Sequence, residues 1–225
     1  MPDVIRRFKS VSKEQVERAK QFPAATVFEA NSQSGMMDPR IRGVYRAAKL
    51  CGPAITVDCH VGDNLMIHKA VTVARPGDIL VVSIGNDDES GAWGEILTTA
   101  AMARGIAGLI IDGGVRDVEA VERRGFPVFA RGIAVGATMK RNRGLINHPV
   151  ICGNVQVCPG DLVIADIDGI VVIQRELVDQ VLDASQTRED KEAVMMKELE
   201  SGKTTLELLG LDEILSSLGV DEEAP

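Results

Sequence analysis

The chain is poor in aromatic residues. One Trp, one Tyr and five Phe make up 3% of its 225 positions. Proteins that hold single-stranded nucleic acid stack bases on rings and follow phosphates with basic grooves. With so few rings and a formal net charge of −8, no nucleic-acid partner is expected. Cysteine is sparse too: Cys51, Cys59, Cys152 and Cys158, with no C-x-x-C pair, beside only three histidines, His60, His68 and His148. That spacing argues against a zinc site, and the length against a disulfide scaffold, so reduced thiols are expected. No apolar run reaches the roughly 18 residues that span a bilayer. The N-terminal "MPDVIRRFKSVSKEQ" lacks the apolar core of a signal peptide. The expectation is a cytoplasmic protein with no membrane contact.

What the chain has is aliphatic. Hydrophobic residues make up 45% of it, so a core short of rings must be built from Val, Ile, Leu and Ala, the pattern of α/β proteins. "SVSKEQVERAKQF" reads as a helix opened by a capping box between Ser12 and Gln15. "PAITVDC" (53–59) reads as a strand, and "GDNLMIHKAVTVA" (62–74) as a helix with Asp63 in its first turn. "GDILVVSIG" (77–85) and "AGLIIDGG" (107–114) are nearly all apolar, as in strands buried on both faces. Between them "WGEILTTAAMARG" (93–105) is a helix with Glu95 in its first turn and Gly105 as its stop. "DVEAVERRG" (117–125) and "FPVFARG" (126–132) add a helix and a strand. This alternation predicts parallel strands with right-handed crossovers.

After residue 148, short runs parted by "PGD" and "DIDG" turns predict antiparallel strands. A first "PGD" at 76–78 also precedes a strand, so two similar turn-and-strand units are expected. The organisation predicted is an α/β domain over 1–174 and a charged helical extension over 175–225, frayed at "GVDEEAP". "SGKTT" (201–205) is not a phosphate loop, because Lys197 stands where the loop needs glycine. It reads as a helix break with a threonine cap, and "DIDG" as a turn. His68 and Asp63 share one helix and could reach a site, or could be a surface histidine and a cap.

The stretch "GAWGEILTTAAMARGIAGLIIDGGVRD" (91–117) is different. An acid opens its helix and an Arg-Asp pair closes its strand, so both ends meet at one edge of an open sheet. The helix start offers free N–H groups to an anion, from Gly94, Glu95, Ile96 and Leu97. Two carboxylates, Glu95 and Asp117, near Arg116 suit a hard divalent ion held through waters, Mg²⁺ or Mn²⁺. The competing reading makes Arg116 and Asp117 a structural pair, with Asp117 capping the next helix.

Gly91, Glu95, Arg116 and Asp117 also match the pattern G-X3-[DE]-X20-R-D. The chain thereby resembles the class II pyruvate aldolases typified by 4-hydroxy-4-methyl-2-oxoglutarate/4-carboxy-4-hydroxy-2-oxoadipate aldolase. "GDNLMIHKA" and "GFPVFARG" carry the likeness further, over roughly residues 25 to 175. The regulator of ribonuclease activity A is a cousin without the acid that Glu95 supplies here. The resemblance implies a β/β/α swivelling-domain sandwich with a C-terminal helical extension packing on a neighbouring subunit, in homotrimers or homohexamers. It implies that Asp117 is the sole direct metal ligand, that Glu95 holds a water of that metal, and that Arg116 with the amides of Gly94, Glu95, Ile96 and Leu97 binds the pyruvyl end. A neighbour's Glu198 or Glu200 would approach the same waters.

The activity expected is retro-aldol cleavage of a 4-hydroxy-2-oxo acid in aromatic acid degradation, giving pyruvate plus pyruvate or oxaloacetate. A base steadied by Glu95 takes the C4 hydroxyl proton, the C3–C4 bond breaks and pyruvate enolate forms. Oxaloacetate decarboxylation passes through the same enolate and is the expected side activity. Arg141 and Arg143 of "KRNRG" are candidates for the distal carboxylate. Two rivals remain: a Schiff-base aldolase using Lys69 or Lys140, and a non-catalytic regulator that binds a ribonuclease or another protein. Neither lysine lies in an apolar strand that would depress its pKa.

Overall fold

A computed structural model describes residues 1–220. The fraying expected of "GVDEEAP" falls mostly on 221–225, outside the described residues. The chain divides into two compact units, the first ending at Ser185 and the second starting at Gln186.

The first unit opens with α1 (Lys13–Ala19), α2 (Ala24–Ala30), β1 (Arg42–Gly43) and β2 (Leu50–Asp58). Then come α3 (Leu65–Val71), β3 (Ile79–Asp87), α4 (Glu95–Ala103), β4 (Gly108–Val115), α5 (Val118–Arg124) and β5 (Val128–Ile133). The short strands β6 (Leu145–Ile146), β7 (Val150–Cys152), β8 (Val155–Val157), β9 (Leu162–Ala165) and β10 (Ile170–Ile173) follow, and then α6 (Val178–Glu200). The main sheet runs β1-β5-β4-β3-β2-β9-β10, with β6 also on β2. Strands β2 to β5 are parallel, as the strand–helix alternation predicts. β9 joins β2 antiparallel and β10 joins β9 antiparallel, as the turn-rich stretch after 148 predicts.

Alternate residues of the central strands feed opposite cores. Ile55, Val57, Leu80, Val82, Leu109 and Ile111 pack under α3, α4 and α5. Ala54, Ile79, Val81, Ile110 and Phe129 face the other way, where Val150, Cys152 and Val157 of the β7–β8 hairpin cover them. All eight residues of β4 are buried, which is why the run reads as apolar without a period. Hairpin, sheet and helices form three layers of a mixed α/β fold. A third cluster sets α1, α2 and the start of α6 against β9 and β10. Val178, Val181 and Leu182 of α6 are part of it, so the α/β unit continues past residue 174.

The two PGD turns are built alike. Gly77 and Gly160 have φ of +92° and +84°. Asp78 accepts from Arg75 N at 2.7 Å, and Asp161 from Cys158 N at 2.9 Å. Each turn launches a strand that pairs with β2, one on either side. The four cysteines are free, and burial pushes the thiols of Cys51 and Cys59 up to about 12, leaving them unreactive.

The second unit holds the rest of α6, then α7 (Thr205–Leu209) and α8 (Asp212–Ser217). Gly202, at φ +100°, ends α6, and Thr204 caps α7 in a box with Glu207. "SGKTT" is a helix break, as its spacing predicts. Among the described residues no helix is long and apolar enough to cross a membrane.

Candidate active site

The carboxyl end of β4 and the start of α4 are stitched together. Trp93, fully buried, stacks on Phe126 at 5.8 Å and donates from Nε1 to Thr98 Oγ1 at 2.7 Å. Its carbonyl accepts from Arg116 N at 2.8 Å, and Ala92 N donates to Gly114 O at 2.9 Å. The buried ring thus fixes the chain just before α4, and the backbone bonds fix Arg116 and Asp117 beside it.

Asp117 sits in the left-handed region, φ 56°, at the start of α5, and its side chain does not cap that helix. Its Oδ2 accepts from Glu95 N at 3.0 Å and so caps α4 instead. The Arg116 Nε to Asp117 Oδ2 distance is 4.0 Å with both side chains nearly half exposed, a weak pair. The simple structural reading of the Arg-Asp pair, with Asp117 capping its own helix, does not describe this geometry.

The glycines of the motif have a steric reason. A Cβ on Gly94 would lie 2.4 Å from Asp117 Oδ2 and 3.2 Å from Arg116 Cγ. One on Gly91 would meet Ala134 O at 2.5 Å and Arg116 Cδ at 2.9 Å. Bare backbone at 91 and 94 is what lets the Arg116 and Asp117 side chains lie against the helix start.

A cleft of about 130 Å³ opens here, lined by Asn64, His68, Gly91, Ala92, Gly94, Ile96, Leu97, Arg116, Asp117, Thr138 and Lys140. The first turn of α4 has no intrahelical acceptors for its leading N–H groups. Glu95 N is taken by Asp117, and the positive end of the helix remains for an anion. Gly94, Ile96, Leu97, Arg116, Asp117 and His68, all read from the sequence, therefore meet in one place. Glu95 is adjacent but does not line the cleft. Its Oε1 accepts from Arg124 Nη2 and Nε at 2.8 and 3.0 Å.

Other candidates lie elsewhere. Arg143 pairs with Asp3 and its side chain is 85% exposed. Arg141 contributes its backbone N–H to Asp63. The cation that lines the cleft beside Arg116 is their neighbour Lys140, considered from sequence only as a Schiff-base lysine. Glu198 and Glu200 lie on α6 in the second unit, where Glu198 pairs with Lys203 at 3.0 Å.

Asp63 is not in the first turn of α3; Asn64 is the N-cap residue. Asp63 is 2% exposed and ties two segments together. Oδ1 accepts from Leu65 N at 2.8 Å, and Oδ2 from Arg141 N and Asn142 N at 2.6 and 3.0 Å. Burial works against its charge, but these bonds outweigh it and hold the carboxyl below the ordinary range. The latch fixes the segment bearing Thr138 and Lys140 over α3. Sequence reading missed Asn64, Thr138, Lys140 as a wall residue, and Arg124. Asn64 alone left a signal, as the polar residue between Asp63 and the apolar helix.

Among the described residues no group of three or more His, Cys, Asp or Glu is placed to hold a metal. A hard cation can be held by one carboxylate and water. Asp117 fits: it is nearly half exposed, and its Oδ2 is oriented by Glu95 N.

Residues 24–172 match the family described as RraA-like, Aldolase/RraA. A Halalkalibacterium halodurans protein provisionally named as a 4-hydroxy-4-methyl-2-oxoglutarate aldolase is 33% identical over 179 residues, covering 79% of this chain and 85% of its own. An uncharacterized Pseudomonas syringae protein superposes with a TM-score of 0.80 at 24% identity, over 88% of this chain and 93% of that one. Streptomyces coelicolor RraAS2, described as an unusual member of the RNase ES inhibitor RraA protein family, gives 0.75 at 24%, over 84% and 99%. At such identities the two structural likenesses speak to the fold alone. The chain belongs to the RraA-like family.

Proposed function

We propose that this chain is a divalent-cation-dependent aldolase. It cleaves 4-hydroxy-2-oxo acids such as 4-hydroxy-4-methyl-2-oxoglutarate or 4-carboxy-4-hydroxy-2-oxoadipate to pyruvate plus pyruvate or oxaloacetate. The observation that carries this is the convergence of Arg116, Asp117 and the first turn of α4 in one cleft, beside a carboxylate at Glu95. The name of the Halalkalibacterium relative points to the same chemistry.

The N–H groups of Ile96 and Leu97 and the Arg116 guanidinium receive the carboxylate and keto oxygen of the pyruvyl end. As the C3–C4 bond breaks, charge gathers on the keto oxygen, and Arg116 is a fixed cation already aimed there. Asp117 would hold Mg²⁺ or Mn²⁺, which supplies Lewis-acid polarisation of the 2-oxo acid when bound. Glu95 is anchored by Arg124 through one oxygen, which leaves the other to orient water at the enolate. Oxaloacetate loses CO₂ through the same enolate, so decarboxylation accompanies cleavage.

We further propose that the working form is a homotrimer or homohexamer in which a neighbour's Glu198 or Glu200 completes the site. Support comes from exposed apolar side chains near the cleft, Ile96, Ile133 and Val135 at 78%, 67% and 92%. Sedimentation showing a fully active monomer would remove this part. A regulator that binds a ribonuclease is the second reading, because the family's description joins Aldolase and RraA. Turnover decides between them. Exhaustive chelation should abolish cleavage and decarboxylation, and Mg²⁺ or Mn²⁺ should restore both. Full activity after chelation removes the cation from the proposal; no turnover under any condition leaves the regulator.

A further inference from the structure

Two residues that line the cleft each bury a polar side-chain atom without a hydrogen-bond partner, Asn64 Oδ1 and His68 Nε2. Their residues stand one turn apart at the start of α3, where His68 N donates to Asn64 O at 3.2 Å. The Asn64 side chain cannot be turned over. Its Nδ2 donates to Ala92 O at 2.9 Å, and reversal would press Oδ1 against that carbonyl. Asn64 is 6% exposed, so Oδ1 is a buried acceptor without a protein donor. A buried acceptor without a donor is unfavourable until one arrives with a ligand.

An ionised 2-oxo acid carries acceptors: carboxylates and a keto oxygen. The hydroxyl at C4 is what adds a donor. Arg116 and the α4 amides suit the acceptors, and the α3 wall suits the donor. Resting on the aldolase reading above, we propose that the C4 hydroxyl donates its one hydrogen bond to His68 Nε2, that His68 takes its proton, and that the imidazolium N–H so formed is the donor Asn64 Oδ1 lacks. The O–H pair becomes the new carbonyl bond as C3–C4 breaks. The C3–C4 pair becomes the enolate, which takes a proton at C3 to give pyruvate, while the imidazolium releases the proton it received.

The surroundings suit a neutral imidazole with a free lone pair. Burial, then the charge of Lys140, lowers the His68 pKa. Lys140 lines the same cleft and supplies the positive charge for a carboxylate beyond C4. Glu95 is less suited to this proton, because its carboxylate is bound to Arg124 and does not line the cleft. Glu95 then serves the enolate, common to both reactions, and His68 serves cleavage alone.

Decarboxylation of oxaloacetate has no C4 hydroxyl to deprotonate, and this separates the two activities. His68→Gln should lower kcat for cleavage of 4-hydroxy-4-methyl-2-oxoglutarate by about 10²–10⁴-fold. Oxaloacetate decarboxylation by the same preparation should fall at least about tenfold less than cleavage does, and a thermal melt beside the wild type reports that the variant is folded. Equal loss of both, or loss of neither, overturns the assignment. A second measurement needs no variant. 4-Methyl-2-oxoglutarate lacks only the hydroxyl, and a wall built to bind that group rejects the analogue. It should inhibit the wild-type decarboxylase at least about tenfold more weakly than the hydroxylated acid does. Equal inhibition sinks the acceptor wall while leaving the aldolase reading standing. A wild-type protein that turns over neither compound sinks both.

Discussion

Gly94→Ala tests the geometry of the site with one methyl group. The backbone at Gly94 is extended, φ −160° and ψ −163°, so alanine adopts it without torsional strain. The conflict is local. The new Cβ would stand 2.4 Å from Asp117 Oδ2, about 1 Å inside an ordinary contact of 3.4 Å. Since 3.4 − 2.4 is about 1 Å, the carboxylate must swing away by that much, and its bond to Glu95 N at 3.0 Å is lost with it. One such bond to a half-exposed carboxylate is worth about 1 kcal/mol, so the melting temperature should fall by about 2–4 °C. Activity should suffer more. A misplacement of about 1 Å in a catalytic constellation costs about 10²-fold. Steady-state decarboxylation of oxaloacetate, measured beside a thermal melt, separates the two effects. Activity near wild type would show that the position of Asp117 does not matter to the chemistry. A collapse of stability instead would make Gly94 a folding residue.

Arg116→Lys keeps the charge and loses the planar fork; kcat for cleavage and decarboxylation should fall together by about 10²-fold, and loss of one alone would place Arg116 at the far end of the substrate. Glu95→Gln should slow both reactions by about 10²-fold or more with the melting temperature nearly unchanged, whereas a normal kcat returns Glu95 to a helix-start residue paired with Arg124. Asp63→Asn weakens the latch on Arg141 and Asn142 and should lower stability by about 1–2 kcal/mol. Because the folded carboxyl lies below its ordinary range, its contribution is present above the unfolded pKa and lost as pH falls through the depressed value. The variant's deficit in urea unfolding should therefore shrink in acid; a deficit independent of pH would mean that the charge of Asp63 is not what holds the segment.

The parallel half of the fold was legible because the sequence alternates in kind. Runs such as "GDILVVSIG" and "AGLIIDGG" are too apolar for a surface strand, and Gly105 and Gly125 stop the helices before β4 and β5, with φ of +72° and +67°. The place of β9 was not legible. Nothing local to "DLVIA" says that it pairs with β2, which ends at Asp58, long before "PGD" returns at Pro159. The site was legible where backbone order sets it: Gly91, Gly94, Arg116 and Asp117 are brought together by the strand ends and helix starts that carry them. It was hidden where loops decide. Arg141 and Lys140 are adjacent in sequence, yet only Lys140 lines the cleft, because the latch at Asp63 fixes the path of the backbone there. Asp63 itself was misread by two residues, since its hydrogen bond to Leu65 N resembles a cap.

The exposure of the reactive side chains bears on how such a protein changes over time. Glu95, Arg116 and Asp117 stand with nearly half of each side chain in solvent, and none belongs to the three clusters that hold the molecule together. The apolar core does not depend on their chemistry. On the proposed function, exchanging the carboxylate of Glu95 would remove activity while leaving the buried contacts of Trp93 and β4 in place. At a site built in this way, activity and stability can change separately.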